Sequence, residues 1–122
     1  MAAGNKMKEQ ANLKEICHHA LLPVKDALEV LNGAWKLQIM ISLLTGPKRF
    51  KQISKEVTGI SDKMLSKELK DLEMNKLVVR TVFDTFPPTV EYSSTEHSKS
   101  LGTVILALRD WGLLHRKKIM AK

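Results

Sequence analysis

The sequence predicts a mainly helical α+β fold with one β-hairpin, and three observations support that class. Apolar residues recur at helical spacing over most of the chain, whereas residues 78–94 are rich in β-branched and aromatic side chains around a proline loop. A short helical pattern ends at Gly59, and a second begins directly afterwards at Ser61. Two helices joined by a tight turn and followed by two strands form a winged helix-turn-helix, to which this chain adds N- and C-terminal helices that we expect to serve dimerisation.

The first third of the chain is predicted to contain three helices. A polar-rich helix covers residues 7–21, and Pro23 begins another, because its missing N–H would be unpaired at a helix start. Apolar residues at helical spacing carry this second helix to Asn32-Gly33. The dense apolar run over residues 35–44 predicts a third, largely buried helix, which the Thr-Gly-Pro sequence at 45–47 stops.

The next segment carries the predicted helix-turn-helix. Phe50, Ile53 and Val57 form the buried side of a short helix that ends at Gly59. Ser61 is a suitable N-cap for the following helix, since its hydroxyl can accept a hydrogen bond from a free backbone N–H. That helix is amphipathic: its apolar stripe comprises Met64 or Leu65, Leu69 and Leu72, while its other faces carry Lys63, Lys67 and Lys70.

The remaining residues predict a wing and a long last helix. Residues 78–83 and 90–94 are typical of strands, while residues 84–88 form a loop because the prolines cannot continue a strand ladder. A single helix is predicted from Glu96 to Met120. We expect one winged-helix domain over residues 1–122, with 7–21 and 96–120 as dimerisation helices and 22–95 as the winged-helix core.

Size, hydropathy and charge narrow the class of protein. A chain of 122 residues and 13.8 kDa can bury one core without disulfides or a metal. No apolar run reaches the roughly 18 residues that a membrane-spanning helix needs, and the N-terminus lacks the apolar core of a signal peptide, so we expect a soluble, cytoplasmic protein without a membrane partner. The net charge is +7. Residues 48–80 hold nine basic and five acidic side chains, as attraction to DNA phosphates requires.

Ten residues are candidates for DNA contact. Lys63 and Lys67 lie in the first two turns of the capped helix and can bond guanine acceptors or phosphates, whereas Met64 either touches a thymine methyl or belongs to the core. Asp62 repels phosphate unless it accepts from a cytosine amino group. For each lysine the alternative is a solvated helix face. The full set is Lys48, Arg49, Ser61, Lys63, Met64, Ser66, Lys67, Lys70, Arg80 and Thr89.

The terminal helices supply candidate residues for a dimer interface. The candidates on the last helix have an alternative role, which is to cover the wing of their own subunit. Cys17 is the only cysteine, so an intrachain disulfide and a multi-cysteine zinc site are excluded. His18 and His19 are adjacent and point about 100° apart on a helix, so we expect no metal and no cofactor. The interface candidates are Leu13, Ile16, Cys17, Leu101, Val104, Ile105, Leu108 and Trp111.

Four strings of residues resemble, in order and at matching spacing, the HxlR-type branch of winged-helix bacterial regulators, which is related to the MarR regulators. They cover residues 22–37, 46–50, 59–65 and 87–93, and the first contains Gly-Ala-Trp where the family has Gly-Lys-Trp. The resemblance implies a homodimeric transcription factor, often a repressor, whose winged helices pair through their terminal helices.

Two positions depart from the family pattern. Sensing members carry a cysteine immediately before the opening proline, where this chain has Leu22. Cys17 lies five residues earlier, so it is either a sensor of its own or a small apolar residue at a helix interface. A basic residue usually follows the paired prolines of the wing, where this chain has Thr89, so we expect readout to be weighted toward the helix at Ser61.

The predicted function is sequence-specific DNA binding by a dimeric transcriptional repressor that reads the major groove of a palindromic operator with the helix starting at Ser61. The alternative is a winged-helix module for non-specific DNA, RNA or protein contacts. The chain has no nucleophile–base pattern and no glycine-rich phosphate loop, so we do not expect an enzyme. An unknown small-molecule inducer is a further possible partner: Trp35, Met40 and Trp111 either line a pocket for it at the dimer interface or form plain core.

Overall fold

A computed structural model describes the backbone of residues 2–121 and the side chains of residues 12–15 and 17–121. Its contacts divide the chain into two compact units, one up to Asn32 and the other from Gly33 onward. The predicted interface residue Ile16 lies outside the residues whose side chains are described. Among the described residues, no helix combines the length and the apolar character that crossing a membrane requires.

The first unit consists mainly of one helix, α1 (Ala2–Val30), which contains Pro23. The prediction that Pro23 separates a helix over residues 7–21 from a second helix is therefore wrong. A proline inside a helix removes one backbone hydrogen bond and crowds a carbonyl of the preceding turn. Leu21, Leu22 and Val24 are all exposed, so the helix around the proline is open to solvent, and the leucines themselves favour the helix.

The second unit encloses an apolar core between its helices and a small sheet. Its elements are α2 (Lys36–Ser42), a 3₁₀ turn (Leu43–Thr45), α3 (Phe50–Glu56), α4 (Asp62–Met74), β1 (Val78–Phe83), β2 (Thr89–Ser94), α5 (Glu96–Lys99) and α6 (Leu101–Met120). Its buried apolar residues are Ile39, Met40, Leu43, Ile53, Val57, Ile60, Leu65, Leu69, Leu72, Leu77, Val78 and Ile105. This mainly helical order with a two-stranded antiparallel sheet confirms the predicted fold class.

α2 buries only one of its sides. Ile39 and Met40 are in the core, but Ile41 and Leu44 are about half exposed. The helix tightens into the 3₁₀ turn and stops at Gly46, whose φ of +126° is in a region that L side chains rarely adopt. The largely buried helix predicted over residues 35–44 is therefore shorter and more exposed than expected.

The turn between α3 and α4 depends on Gly59, as the sequence predicts. Gly59 has φ +91°, which disfavours any residue with a Cβ atom. A Cβ placed on Gly59 would lie 3.9 Å from the indole of Trp35, so the tryptophan ring packs over this turn. The turn is thereby tied to the residue that precedes α2.

The wing is an antiparallel pair of β1 and β2, in which Arg80 lies opposite Tyr92. Lys48 extends the hairpin by one bridge: its N–H donates to the Tyr92 carbonyl at 2.9 Å, and the Tyr92 N–H donates to the Lys48 carbonyl at 2.8 Å. The wing is thus joined to the segment that leads into α3. The strands predicted at residues 78–83 and 90–94 are confirmed, the second beginning one residue earlier.

α4 ends in a Schellman cap that leads directly into β1. The Lys76 N–H donates to the Glu73 carbonyl at 3.0 Å, and the Leu77 N–H donates to the Leu72 carbonyl at 2.9 Å. Lys76 lies in the left-handed region with φ 62°, where glycine is the usual residue. Leu72 and Leu77 are both buried and form the apolar pair that often accompanies this cap.

The long helix predicted over residues 96–120 is interrupted at Ser100, which corrects the sequence expectation. Thr95 and Ser98 form a capping box, in which the Ser98 N–H donates to Thr95 Oγ1 at 3.0 Å and the Thr95 N–H donates to Ser98 Oγ at 2.8 Å. The Ser100 hydroxyl donates to a carbonyl of the preceding turn at 2.6 Å. Such local bonds compete with the helical ladder, and Gly102 weakens it further.

The substitution Lys76→Gly is expected to raise the free energy of unfolding by roughly 0.5–1 kcal/mol, because glycine adopts a positive φ without a Cβ penalty. Urea denaturation measures the change. Lys70→Gly, inside α4, is the matched control and should lower stability by about 1 kcal/mol. A Lys76→Gly protein less stable than the wild type would contradict the left-handed conformation at this residue.

Candidate DNA-binding surface

The N-terminus of α4 is fixed by Ser61, which confirms the predicted cap. Ser61 has an extended backbone (φ −76°, ψ 156°), and its Oγ accepts a hydrogen bond from the Met64 N–H at 3.1 Å. Asp62 occupies the first turn of the helix, where a carboxylate interacts favourably with the helix dipole. The first turn, which carries Lys63, therefore has a defined start and direction.

A buried ion pair joins α2 to α4. Lys36 Nζ lies 2.7 Å from Glu68 Oε2 and 3.5 Å from Asp71 Oδ2, and the side chains of Lys36 and Glu68 are only 8% and 9% exposed. Burial alone would lower the pKa of Lys36, but the hydrogen bond and charge of Glu68, together with those of Asp71, raise it above its ordinary value. The lysine therefore stays charged. No local spacing links residue 36 to residue 68, so sequence reasoning missed this pair.

The exposed side of α4 is basic. Glu68 is buried against Lys36, and Asp71, whose side chain is 40% exposed, lies 3.5 Å from the same ammonium, so neither forms an ion pair with a lysine of α4. Those lysines are exposed and make no ion pair within the described part of the chain. They line a shallow concavity together with Ser66, Asp71 and Met74. We call the lysines and the serine of this surface the lysine face: Lys63, Ser66, Lys67 and Lys70.

A groove of about 340 Å³ lies between α4 and the wing. It offers two cations, two hydroxyls and one carboxylate, a combination that suits a phosphate better than it suits a cation. Tyr92 was missed by sequence reasoning, although its place opposite Arg80 in the hairpin would have indicated it once the strands were paired. The lining of this α4–wing groove is Ser66, Leu69, Lys70, Glu73, Arg80 and Tyr92.

The two candidate phosphate anchors before α3 have different surroundings. The Lys48 ammonium donates to a Glu56 carboxylate oxygen and to the Ser42 carbonyl, and the Lys48 side chain is only 12% exposed. The hydrogen bonds from Lys48 and from the Ser42 hydroxyl hold the pKa of Glu56 below its ordinary value. Arg49 is exposed. The surface cation at the start of α3 is therefore Arg49, while Lys48 stabilises the fold.

The remaining candidates for DNA contact are only partly exposed or lie on the wing. Leu65 is fully buried, whereas Met64 is half-buried. Of the two candidates for the apolar stripe of this helix, Leu65 is therefore the core residue. Thr89 is half-buried, and its hydroxyl lies 2.8 Å from the Thr85 hydroxyl at the base of the wing loop. Arg80 is exposed and lines the α4–wing groove.

The candidate interface residues are mostly exposed, but Ile105 is not. Ile105 is 8% exposed and lies in the core of its own chain, so its assignment to a dimer interface is wrong. Adjacent helix residues point about 100° apart, so Val104 and Ile105 cannot face the same way. Leu101 is half-buried. The exposed members are Leu13, Cys17, Val104, Leu108 and Trp111.

The three residues considered for an inducer pocket have separate surroundings. Trp35 packs over Gly59, Met40 is 2% exposed and belongs to the core, and the Trp111 ring stacks on His115 with centroids 4.8 Å apart. Among the described side chains, no group of three or more histidine, cysteine, aspartate and glutamate residues is placed to hold a metal ion.

These features define a class of protein. A capped helix with a basic exposed side, set beside a two-stranded wing, is the architecture of DNA-binding helix-turn-helix proteins. The sequence pattern of the HxlR-like helix-turn-helix family matches residues 30–120. The chain belongs to this family, and it is therefore a DNA-binding transcriptional regulator. The family assignment confirms two predictions from the sequence, namely the resemblance to HxlR-type regulators and the expectation that the protein is not an enzyme.

Individual relatives agree with this assignment. The HTH-type transcriptional regulator YdeP of Bacillus subtilis is 37% identical over 97 residues, covering 80% of this chain and 76% of YdeP. The redox regulator HypR in its reduced form superposes with a TM-score of 0.76 at 33% identity, covering 82% of this chain and 99% of HypR. A MarR-family transcriptional regulator from Enterococcus faecalis V583 gives a TM-score of 0.72 at 33% identity, covering 80% and 88% of the two chains.

Removing one partner of the buried ion pair is expected to destabilise the protein strongly. Lys36→Met should lower the free energy of unfolding by about 3–5 kcal/mol, because Glu68 is left as an uncompensated buried charge. Lys36→Met combined with Glu68→Met should recover most of that loss. Urea unfolding at neutral pH measures both, since a raised lysine pKa means that the stabilisation is present below 10.5 and is lost only as pH rises through the raised value.

The exposed pair on α5 provides the control for this experiment. Lys99 Nζ lies 2.8 Å from Glu96 Oε1, with side chains 61% and 91% exposed, and Lys99→Met should change stability by less than about 1 kcal/mol. Equal effects of Lys36→Met and Lys99→Met would show that the α2–α4 pair is not buried as described.

Proposed function

We propose that this regulator is a dimeric, sequence-specific repressor that reads the major groove with α4, the helix starting at Ser61. The observation that carries the proposal is the lysine face on a helix whose start is capped and whose other side is held in the core. In helix-turn-helix proteins the N-terminal residues of such a helix contact base edges. A fixed helix with exposed donors on its first two turns is suited to that task.

The proposed contacts divide into base readout and phosphate anchoring. Lys63 and Lys67 donate to guanine O6 and N7 or to nearby phosphates, and the half-buried Met64 is within the same two turns to meet a thymine methyl. Asp62 either accepts from a cytosine amino group or faces away from the backbone. Anchoring falls to a wider set that surrounds the helix, namely Arg49, Ser66, Lys70, Arg80 and Tyr92.

A second copy of the chain is the proposed occupant of the exposed apolar residues on the terminal helices. α6 exposes eight large apolar side chains, among them Leu108 at 50% and Trp111 at 61%, and α1 exposes Leu13 at 63%. Burying such surface between copies is favourable at about 25 cal/mol per Å². A dimer would present two α4 helices to half-sites roughly 34 Å apart, which is the reason for expecting a palindromic operator.

Non-specific DNA binding is the rival function, and one observation favours it. The first two turns of α4 carry lysine but no arginine, asparagine or glutamine. Lysine is a point charge that suits phosphate, whereas bidentate base reading more often uses the other three residues. A lysine face alone therefore supports attraction to any duplex, and sequence preference must be measured directly.

The output and the signal complete the proposal. Repression follows most simply if a bound dimer occupies a promoter in the cytoplasm. HypR is a redox regulator that has been solved in reduced and oxidised forms, but here the only cysteine is Cys17, exposed on α1. We assign Cys17 to the contact between the two copies of the dimer. We propose that an unidentified small-molecule inducer releases the protein from DNA.

Replacing Lys63 and Lys67 by Ala together is expected to abolish specific retention of a duplex selected by the wild-type protein from a random pool. Each lost base contact should weaken binding by about 1–3 kcal/mol, and each lost phosphate contact should reduce the slope of log K against log salt by about 0.9. Fluorescence anisotropy over a salt series measures both quantities.

The double substitution Lys14→Ala/Lys25→Ala on α1 removes the same charge from exposed positions and should leave specificity unchanged. Wild-type affinity in the Lys63→Ala/Lys67→Ala protein would refute the assignment of α4 as the reading helix. Binding to all duplexes alike by the wild type would instead support the non-specific role.

The dimer is tested by placing a charge on the exposed side of α6. Leu108→Glu combined with Trp111→Glu should weaken self-association at least about tenfold, since a carboxylate loses hydration when it enters an apolar interface. Sedimentation equilibrium measures the change, and Thr103→Glu at another exposed position of α6 is the control. A wild-type protein that is monomeric at micromolar concentration would overturn the dimer.

A further inference from the structure

The tip of the wing, residues 84–88, presents an aromatic side chain wholly to solvent. Phe86 has a relative exposure of 104%, so its ring takes no part in the core. A single exposed apolar residue is common on protein surfaces, and its meaning depends on what surrounds it. Three features of the wing give this residue a role: a hydrogen-bonded tip, the absence of positive charge there, and the position of the hairpin beside α4.

Hydrogen bonds hold the wing tip in one conformation. The Thr85 N–H donates to the Phe83 carbonyl at 2.9 Å, and the Thr85 hydroxyl donates to the Pro87 carbonyl at 2.8 Å. The same hydroxyl lies 2.8 Å from that of Thr89. Pro87 and Pro88 also have fixed φ angles. The backbone that carries Phe86 is therefore tied by hydrogen bonds, so a partner that meets the tip orders the ring but does not have to order the loop.

The charge of the wing argues against a purely electrostatic contact at its tip. Residues 78–94 contain one cation, Arg80, and two carboxylates, Asp84 and Glu91. Arg80 lies at the base of the hairpin, where it lines the α4–wing groove. The tip itself carries Asp84 and no lysine or arginine. Attraction to phosphates would draw the base of the wing to DNA, but it would not hold the tip there.

The position of the wing beside α4 indicates which surface the tip meets. Ser66 and Lys70 of α4 share a groove with Arg80 and Tyr92 of the hairpin, so the wing rises beside the lysine face. The strand from Arg80 to Phe83 adds about 10 Å at roughly 3.3 Å per residue. With α4 in a major groove, which is about 12 Å wide, an extension of that length is sufficient for the tip to contact the adjoining minor groove, which is about 6 Å wide.

We propose that Phe86 packs into the minor groove of duplex DNA and reads its shape. The proposal rests on the proposed function of α4, which brings the wing to the duplex. Apolar side chains are known to enter minor grooves and to wedge base steps. Guanine places an amino group in the minor groove that A·T pairs lack. The ring of Phe86 would meet this group, so A·T pairs are preferred at the base pairs beneath the wing tip.

The first test compares salt dependence. The probe is the duplex that the wild-type protein selects from a random pool. Phe86→Ala is expected to weaken binding roughly tenfold at every salt concentration, with an unchanged slope of log K against log salt. Lys67→Ala should instead lower that slope, by about 0.9 if it loses one phosphate. Phe86→Tyr should retain most of the affinity. Because Phe86 is fully exposed, its variants should melt at the wild-type temperature.

The second test changes the minor groove without changing the major groove. A G·C pair is first placed beneath the wing tip in the selected duplex, and its replacement by inosine·cytosine then removes only the minor-groove amino group. We expect this replacement to strengthen wild-type binding severalfold, to leave the affinity of Phe86→Ala unchanged, and to strengthen binding by the Lys67→Ala protein as it does for the wild type.

The outcomes separate this inference from the proposed function. Equal affinity and an equal inosine response in the wild type and Phe86→Ala would overturn the role of Phe86 while leaving α4 as the reading helix. A change in self-association caused by Phe86→Ala would overturn it too, because the tip would then be a protein contact. Failure of the wild type to select any duplex would contradict the proposed function itself.

Discussion

The ion pair between Lys36 and Glu68 is the interaction on which the position of α4 depends. It joins α2 to the middle of α4 inside the unit, with both side chains more than nine-tenths buried. A buried charge must keep its partner, because leaving one ion alone costs far more than losing a surface contact. Asp71 shares the same ammonium. One lysine therefore ties α4 to α2 through the buried Glu68 and the partly exposed Asp71, while Lys63, Lys67 and Lys70 make no ion pair within the described part of the chain.

The ends of α4 are fixed as firmly as its middle. Ser61 caps the first turn, and the left-handed Lys76 closes the last turn so that β1 begins at once. Thirteen residues rise about 20 Å, and the wing follows from the far end of that length. The caps thus fix where α4 begins and where β1 follows it, and the hairpin then borders Ser66 and Lys70 of the lysine face in the α4–wing groove.

The parts of this structure that the sequence predicted are those with local causes. The turn at Gly59, the cap at Ser61 and the strands after Leu77 each follow from residue types within a few positions, and all three are present. Element boundaries were less predictable. Pro23 lies inside a helix because its surroundings are exposed, and Ser100 interrupts a helix because of hydroxyl hydrogen bonds that no apolar pattern records.

The charged residues of the site were predictable in type but not in pairing. Lys48 carries the charge expected of a phosphate anchor, yet its ammonium is bound to Glu56 and to a carbonyl. No local pattern marks Lys36, although it pairs with two carboxylates of α4. Whether a lysine is a surface cation or a structural one depends on carboxylates brought to it by the fold, and these can lie more than thirty residues away, as Glu68 does from Lys36.

In this protein, attraction to DNA and discrimination between DNA sequences come from different residues. The lysine face attracts any phosphate backbone, and its contribution falls as salt rises. Lysine alone does not impose the planar, bidentate geometry through which arginine distinguishes bases. Selectivity for one DNA sequence must therefore come largely from interactions other than attraction to the phosphates. The spacing imposed by two copies of α4 is one such term, and an apolar wing tip that fits only certain minor grooves is another. A wing without a cation at its tip is then no defect, because the contribution of an apolar contact, unlike that of a phosphate contact, does not fall as salt rises.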